Sequence, residues 1–509
     1  MMAMNSHIQS LLTYGFEGVV IEIECQLSNS LPTIIIVGLG NKAVGEAKDR
    51  IRSAFASSGI QLPRKRITIN LAPADLPKDS TSLDLAIAAA IMTCNQPQQD
   101  STAKQLIIGE VALDGRIRPV RGIVGKLLAG KKLGFDTFVI PEANLAQAMV
   151  VPGITIKPAA SIQSLHLDIT NQAPLPLCPS APSTISTNHT KSEHSISAIV
   201  GQSHAKRSLE IAAAGGHNIL LIGPPGAGKT MLAKALLGLL PPLNYNEILE
   251  LTHLYSLTTY DYEKLITERP IRTPHHSSSH ISIVGGGTYA LPGELSLSHH
   301  GVLLLDEMPE FTRQTLEALR QPLEERTITV SRLRQTVQYP AGFILAATAN
   351  PCPCGYYGSS HECICTPYQI LSYQQKISGP IIDRIDLFVS VEVVEHPRLL
   401  NHTPDASDDA ARKKRVSDAR KTQYKRQGDG ILNSELKNDA LISHSVLSEE
   451  ATALLNTAAK KLSLSARSYM RIIKVARTIA DLESSRDISV QHISEALQYR
   501  PGAIGRQAP

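Results

Sequence analysis

The octapeptide GPPGAGKT, Gly223 to Thr230, follows the apolar run NILLIG and precedes the helical run MLAKALLGLL. Glycine, four residues, glycine, lysine and threonine is the spacing of a loop that wraps phosphates, and a strand before it and a helix after it are the context that spacing needs. Gly223, Gly226 and Gly228 let backbone N–H groups turn inward without Cβ clashes, with Pro224, Pro225 and Ala227 completing the loop. Lys229 offers a positive charge to the β- and γ-phosphates. Thr230 offers a hydroxyl to Mg²⁺, and the helix N-terminus adds its dipole. The expected ligands are ATP and Mg²⁺. A glycine turn that binds nothing is the bland alternative, and the flanking elements argue against it.

Hydrolysis needs further polar groups at the ends of neighbouring strands. GVLLLDE ends an apolar run in Asp306, expected to hold Mg²⁺ through water, and Glu307, expected to polarise the attacking water. FILAATAN ends in Asn350, which resembles the polar sensor that reads the γ-phosphate in one class of ATPase. SGPIIDRID places Arg384 in a short turn. A guanidinium there could reach a neighbouring subunit's γ-phosphate; a salt bridge to Asp383 or Asp386 is the alternative. SLSARSYMRIIK carries Arg467 and Arg471 one helical turn apart. Arg467 is the preferred phosphate contact from the helical tail, with a plain surface helix as the alternative.

Immediately after Asn350 the chain reads PCPCGYYGSSHECIC, which holds four of the seven cysteines. Cys352, Cys354, Cys363 and Cys365 form two close pairs around a glycine-containing spacer. Four thiolates suit Zn²⁺ at about 2.3 Å each. C-x-C is less usual for zinc than C-x₂-C, so unliganded thiols and a redox pair stay open, and His361 is a substitute ligand. The loop is expected to be a surface handle for DNA or a partner, apart from catalysis.

These residues need elements to hold them. The length of 509 residues suggests two to four domains. Lys and Arg exceed Asp and Glu by four, so nucleic-acid binding would rest on local clusters; aromatics at 4% and no Trp argue against base stacking. The N-terminal MMAMNSHIQSLLTYGFEG has neither the basic start nor the apolar core of a secretory signal, and no apolar run reaches about 18 residues. A reducing, cytoplasmic setting without a membrane is the expectation. Residues 1–170 mix strand-like runs (ITINLAP, DTFVIP) with helical ones (LDLAIAAAIM), an α/β domain. Residues 171–195, rich in Pro, Ser and Thr, read as a flexible linker. Residues 196–393 alternate strand and helix, and 394–509 are helical. The predicted fold class is multidomain α/β. One large domain with a loop at 171–195 is the alternative.

In this order, P-loop, DE pair, sensor asparagine, arginine finger and helical lid resemble an AAA+ ATPase. The strings AAAGGHNILLIGPPGAGKTMLAKAL, RPIRTPHHSSSHISIVGGG, PGELSLSHHGVLLLDE and NPCPCGYYG are similar to those of the magnesium-chelatase-like group known as YifB/ComM, and the match covers nearly the whole chain. The resemblance implies an ATP-driven ring, usually a homo-hexamer. For ComM-type members it implies a DNA helicase that drives branch migration in natural transformation, acting on single-stranded or branched DNA. It also implies a helical lid over the AAA+ core.

Lys229 and Asp306 lie 77 residues apart, so a large insert separates them. It holds His275, His276 and Gly285 to Gly287. Adjacent histidines rarely converge on one ion, so insert packing or DNA is preferred to metal. ERTITVSRLRQTVQYP reads as a hairpin with Arg332 and Arg334 near its turn, expected to contact the DNA backbone as pore hairpins do in ring helicases; a solvated hairpin is the alternative. Residues 411–426 carry eight basic residues against one acid, either a solvated helix or an auxiliary DNA contact. The N-terminal domain resembles the proteolytic domain of Lon protease. Ser82 falls at the nucleophile's place, but Val124 stands where Lon has its lysine and Lys126 is two residues on, so an activated serine is not expected. Arg116, Arg118, Arg121, Lys131 and Lys132 are possible DNA contacts or ordinary surface charge. Two other functions remain open: a chelatase-type protein-remodelling ATPase and a Lon-like ATP-dependent protease.

Overall fold

The computed structural model describes residues 5–14, 17–38, 42–74, 81–95, 104–180, 195–258, 265–287, 290–332, 335–359, 361–394, 405–428 and 430–500. The chain divides into two compact units. One is 1–186 together with 244–266; the other is 187–243 together with 267–509.

The first unit is built on an eight-stranded mixed sheet. Its strand order is Cys178–Pro179, Thr155–Ala159, Thr137–Pro141, Gln105–Ile107, Asn5–Tyr14, Glu17–Ser28, Arg66–Ala72 and Thr33–Val37. Side chains alternate between its two faces, as strand geometry requires. Ile107 feeds a core with Ile21, Ile23, Cys25 and the helices Lys42–Ser57 and Asp84–Cys94. Its neighbour Leu106 feeds a second core with Leu11, Phe138 and the helix Ile123–Lys132. Residues 171–180, read in sequence as the start of a linker, include Cys178–Pro179, paired to Thr155 and Ile156. The rest of that segment, 181–194, lies outside the described residues.

The insert before the DE pair is shared between the units. Its helix Tyr245–Ser256 packs on Ile123–Lys132 in the first unit, with Leu249 in the second core. Gly125 makes this possible: a Cβ there would lie 2.0 Å from Cε1 of His253. The Tyr245 hydroxyl donates to the Val150 carbonyl.

The second unit holds a five-stranded, fully parallel sheet in the order Ile271–Arg272, Val302–Leu305, Ile344–Ala349, Ile219–Ile222, Leu387–Ser390. Its three central strands are continuous apolar runs with every residue buried, the pattern of a parallel sheet covered on both faces. The C-terminal helices Ala406–Gln427, Glu449–Lys461, Ala466–Leu482 and Val490–Gln498 share one hydrophobic core with this sheet and with the helices Ser203–Gly215 and Lys229–Leu239. The Phe388 N–H also donates to the Tyr499 carbonyl at 2.9 Å. Basic side chains of Ala406–Gln427 divide by type. Arg412 and Arg415 bond Glu210, Arg420 bonds the Ala213 carbonyl and Arg426 bonds Asp481, whereas Lys413, Lys414, Lys421 and Lys425 are exposed.

Candidate active site

Three neighbouring strands end side by side at the carboxyl edge of the parallel sheet, and each delivers part of the site. Ile219–Ile222 runs into the glycine loop, Ile344–Ala349 into Asn350, and Val302–Leu305 into Asp306 and Glu307. The sensor strand lies between the other two. In open parallel sheets ligands bind at this edge.

The loop's glycines are required for different reasons. A Cβ on Gly223 would sit 2.1 Å from the Val391 carbonyl oxygen, so Gly223 permits close backbone approach. Gly226 and Gly228 have φ of +78° and +84°, the left-handed region that favours glycine. Gly228 is also the N-cap of the helix Lys229–Leu239, and no side chain caps that helix. Its amides are thus left to an anion.

Lys229 Nζ donates to the carbonyls of Gly223 and Pro224 at 2.7 and 2.8 Å and to Asn350 Oδ1 at 3.0 Å. Burial lowers its pKa, partly offset by Asp306 and Glu307. Thr230 Oγ1 donates toward both Asp306 oxygens at 3.1 and 3.2 Å. Thr348 Oγ1 donates to Asp306 Oδ1 at 2.6 Å and accepts the Glu307 N–H at 3.0 Å. Glu307 itself has φ 53° and ψ 50°, a left-handed conformation costing an ordinary residue about 1–2 kcal/mol. The structure thus gathers two hydrogen-bonded groups, Lys229 with Asn350 and Thr230 with Asp306 and Thr348, with Glu307 fixed beside the second. Thr348, buried in the sensor strand, joins the carboxylates and was missed in sequence. A Thr inside an apolar strand was its only signal. Asn350 and Pro351 also border a cavity of about 190 Å³, with Tyr373, Ile377 and Phe388 among its walls.

The arginines lie elsewhere. Arg384 precedes Leu387, which pairs with Ile219 at the start of the P-loop strand, so it sits at the amino edge. Roughly 10 Å of strand separates that edge from the glycine loop. Arg384 donates to the Pro380 carbonyl at 2.7 Å and to Glu324, not to Asp383 or Asp386. Arg467 bonds the same Glu324 at 3.1 Å, so it joins Arg384 and not the P-loop of its own chain. Asp386 is occupied by the Asn218 N–H at 3.1 Å, with His217 Nδ1 at 3.4 Å and Arg471 at 3.5 Å. Burial would raise the Asp386 carboxyl; His217, Arg471 and the Asn218 amide outweigh burial and hold it below the usual carboxylate range. The Arg384 base is further tied down through its own carbonyl, which accepts from Asn218 Nδ2 at 3.0 Å.

Cys352, Cys354, Cys363 and Cys365 converge, with all four Sγ atoms within 4.8 Å of one another. Three pairs are 3.3, 3.7 and 3.5 Å apart. Four thiolates around one tetrahedral Zn²⁺ would be about 3.8 Å apart, so the group fits. The Tyr357 N–H donates to Cys352 Sγ at 3.3 Å, and the Tyr356 amide draws the Cys354 thiol down to about 6. His361 is not in the cluster and instead sets its ring edge against Tyr356, centroids 5.2 Å apart. The base of the loop adjoins the P-loop, because Gly355 packs against Pro225.

Other expected sites resolve variously. The hairpin is Thr327–Arg332 paired to Gln335–Pro340, with Arg332 opposite Gln335. Arg334 and the side chain of Arg332 lie outside the described residues. His275 bonds Ser277 at 2.7 Å and tilts against the His276 ring. In the first unit Ser82 is buried next to Leu83 of one core, while Lys126 is buried on the helix that feeds the other. Lys126 Nζ lies 3.4 Å from the Leu11 carbonyl, and burial lowers its pKa to about 8. Arg116 and Arg118 pair with Asp114 and Glu110. Among the described residues no helix is long and apolar enough to cross a membrane.

A parallel sheet carrying a P-loop, a DE pair and a sensor asparagine, packed with C-terminal helices, defines an AAA+-type nucleotide-binding unit. Comparison with known proteins agrees. Residues 195–399 match the family described as magnesium chelatase, subunit ChlI. Residues 23–144 match subunit ChlI of Mg-chelatase, and 407–500 its C-terminal part. The chain is 42% identical to YifB of Salmonella typhimurium over 484 residues, 94% of each chain. It is 40% identical to the competence protein ComM of Haemophilus influenzae over 496 residues, 97% of each. A Lon protease 2 of Herpetosiphon aurantiacus matches at 26% over 160 residues, 30% of this chain and 19% of that one. The chain belongs to the YifB/ComM family of magnesium-chelatase-like AAA+ ATPases.

Proposed function

We propose that this chain is one subunit of an ATP-hydrolysing ring, a hexamer, that moves DNA strands during competence-related uptake, as a branch-migration helicase. The observation that carries the ATPase reading is the pair of hydrogen-bonded groups, Lys229–Asn350 and Thr230–Asp306–Thr348, that flank the mouth of an uncapped helix. Thr230 and Asp306 are the residues that would hold Mg²⁺, which supplies charge neutralisation on the phosphate oxygens. Lys229 turns its ammonium from loop carbonyls to the phosphates, and Asn350, already on Lys229, senses the terminal one. Glu307 takes the proton from the attacking water.

The ring reading is supported by where the arginines sit. Arg384 and Arg467 meet at Glu324, on the edge opposite the P-loop of their own sheet. Each is therefore assigned to the nucleotide of an adjacent subunit. The DNA assignment is supported by the likeness to a protein named for competence and by the two-stranded ribbon in which Arg332 pairs with Gln335. The four-cysteine loop is assigned to Zn²⁺ on its sulfur spacing.

The test is turnover and strand exchange on labelled branched DNA. ATP hydrolysis stimulated by DNA, with branch movement, is expected, and both are lost in Lys229→Ala. Stimulation only by a porphyrin-metalating partner, or only by casein with its cleavage, would replace the DNA reading. No phosphate release under any condition would remove the motor reading altogether.

A further inference from the structure

The four-cysteine loop lacks what ordinarily fixes a loop. Between Asn350 and Thr366 the described residues form turns and bends, with no helix or strand. Among the described residues there only Cys352 and Gly355 are buried, and Ile364 is 85% exposed. A segment with so little core holds one shape only when something staples it. Four convergent sulfur atoms make a metal ion that staple.

The buried end of the same loop touches the ATP site. Gly355 has φ +87°, and a Cβ on it would lie 2.6 and 2.8 Å from Cδ and Cγ of Pro225 and 3.9 Å from Cγ of Asn350. Its own N–H donates to the Cys352 carbonyl at 3.0 Å, which ties the contact to a cysteine. Cys352 is two residues beyond Asn350, whose Oδ1 accepts from Lys229.

We propose that the four-cysteine loop is a metal-dependent brace of the nucleotide site: Zn²⁺ bound by Cys352, Cys354, Cys363 and Cys365 fixes Gly355 against Pro225 and thereby sets the positions of the P-loop and Asn350. The ligand is a thiophilic divalent cation, and the consequence is that nucleotide affinity depends on its presence. The proposal rests on the zinc and ATP readings given above.

The experiment measures zinc content and the affinity of a fluorescent ATP analogue on the full-length protein. One zinc per chain is expected. A zinc-selective chelator that leaves Mg²⁺ in place should weaken nucleotide binding by at least about tenfold, comparable with loss of one hydrogen bond to a charged group. Added Zn²⁺ should restore it. Co²⁺ in place of Zn²⁺ should give the charge-transfer and d–d bands of a tetrahedral thiolate site. Gly355→Ala keeps all four cysteines and should retain these bands while weakening nucleotide binding. Zinc removal without change in affinity overturns the brace, and so does Gly355→Ala binding nucleotide like the parent. A chain that takes up neither Zn²⁺ nor Co²⁺ overturns the zinc reading and the brace with it; one that binds zinc but no nucleotide overturns the ATP reading instead. Cys363→Ser should lose the metal and weaken nucleotide binding as chelation does; should it fail to fold, chelation of the parent protein and Gly355→Ala still decide.

Discussion

At the carboxyl edge of the parallel sheet, Lys229 bonds Asn350 and Thr230 bonds Asp306, so the glycine loop is tied to the two other strand ends. At the amino edge, Arg384 and Arg467 share Glu324, while Arg471 lies against Asp386 and the Ile385 carbonyl. The first edge has an uncapped helix, positive-φ glycines and exposed carboxylates, all suited to an incoming anion and cation. The second has surplus positive charge and only carboxylates and carbonyls of its own chain to meet it. Neither edge is a complete catalytic site, because phosphoryl transfer needs both the cradle and a group that neutralises transition-state charge. On the ring reading proposed above, one subunit carries both halves at opposite edges of its sheet, and the site would close between copies.

The most decisive way to break this comparison is to disable one edge at a time and mix. If Arg384 is the finger proposed, Arg384→Ala should cost about 10³–10⁵ in turnover, with nucleotide still bound. Glu307→Gln should cost about 10²–10⁴, again with nucleotide bound. Mixed together, the two inactive proteins should regain turnover, because some interfaces then pair an intact cradle with an intact arginine. Titrating one against the other and measuring phosphate release checks this. If the mixture stays as dead as its parts, the two edges do not serve one site.

A second test asks what holds the amino edge rigid. Asp386 joins Asn218, His217 and Arg471 below Arg384. Its carboxyl is held below the ordinary range, so the stabilisation is fully present above the unfolded value near 3.9 and is lost as pH falls below it. Asp386→Asn leaves the partly buried Arg471 with the Ile385 carbonyl but no carboxylate and should cost up to about 3 kcal/mol at neutral pH. The gap between parent and variant in denaturant unfolding should shrink as pH drops from 5 toward 3. A gap that stays constant across that range means the charge on Asp386 is not what stabilises this edge.

The carboxyl edge was legible in the sequence because its chemistry is written in contiguous strings. GPPGAGKT, LLLDE and ATAN each end a buried strand, and strand ends in a parallel sheet converge. The amino edge was legible only in part. Arg384 and Arg467 stood out as cations, but Glu324 lies in a helix of ordinary composition, and nothing local links it to residues 60 and 143 positions away. The same limit explains Tyr245–Ser256. Its amphipathic pattern shows a helix, but its docking partner depends on Gly125, a small residue that leaves room for His253. Likewise the cysteine spacing pointed to a metal, while its contact with Pro225 turned on Gly355, one of two glycines in that loop that sequence alone does not tell apart.

The smallest expected effect concerns Glu324, which is half exposed and holds two arginines at once. Arg384 draws its carboxyl below the ordinary range, yet an exposed pair of this kind is worth only about 0.2–1 kcal/mol. If Arg384 must leave Glu324 to reach a neighbour's phosphate, that energy opposes the catalytic arrangement. Glu324→Gln should therefore raise turnover, by no more than about fivefold, and leave nucleotide affinity unchanged. Raising the salt concentration should narrow the difference, since screening weakens the parent pair first. A loss of turnover as large as that in Arg384→Ala would reverse the assignment. Glu324 would then be the group that aims the arginine across the interface, and the amino edge would be a preassembled half-site instead of a latched one.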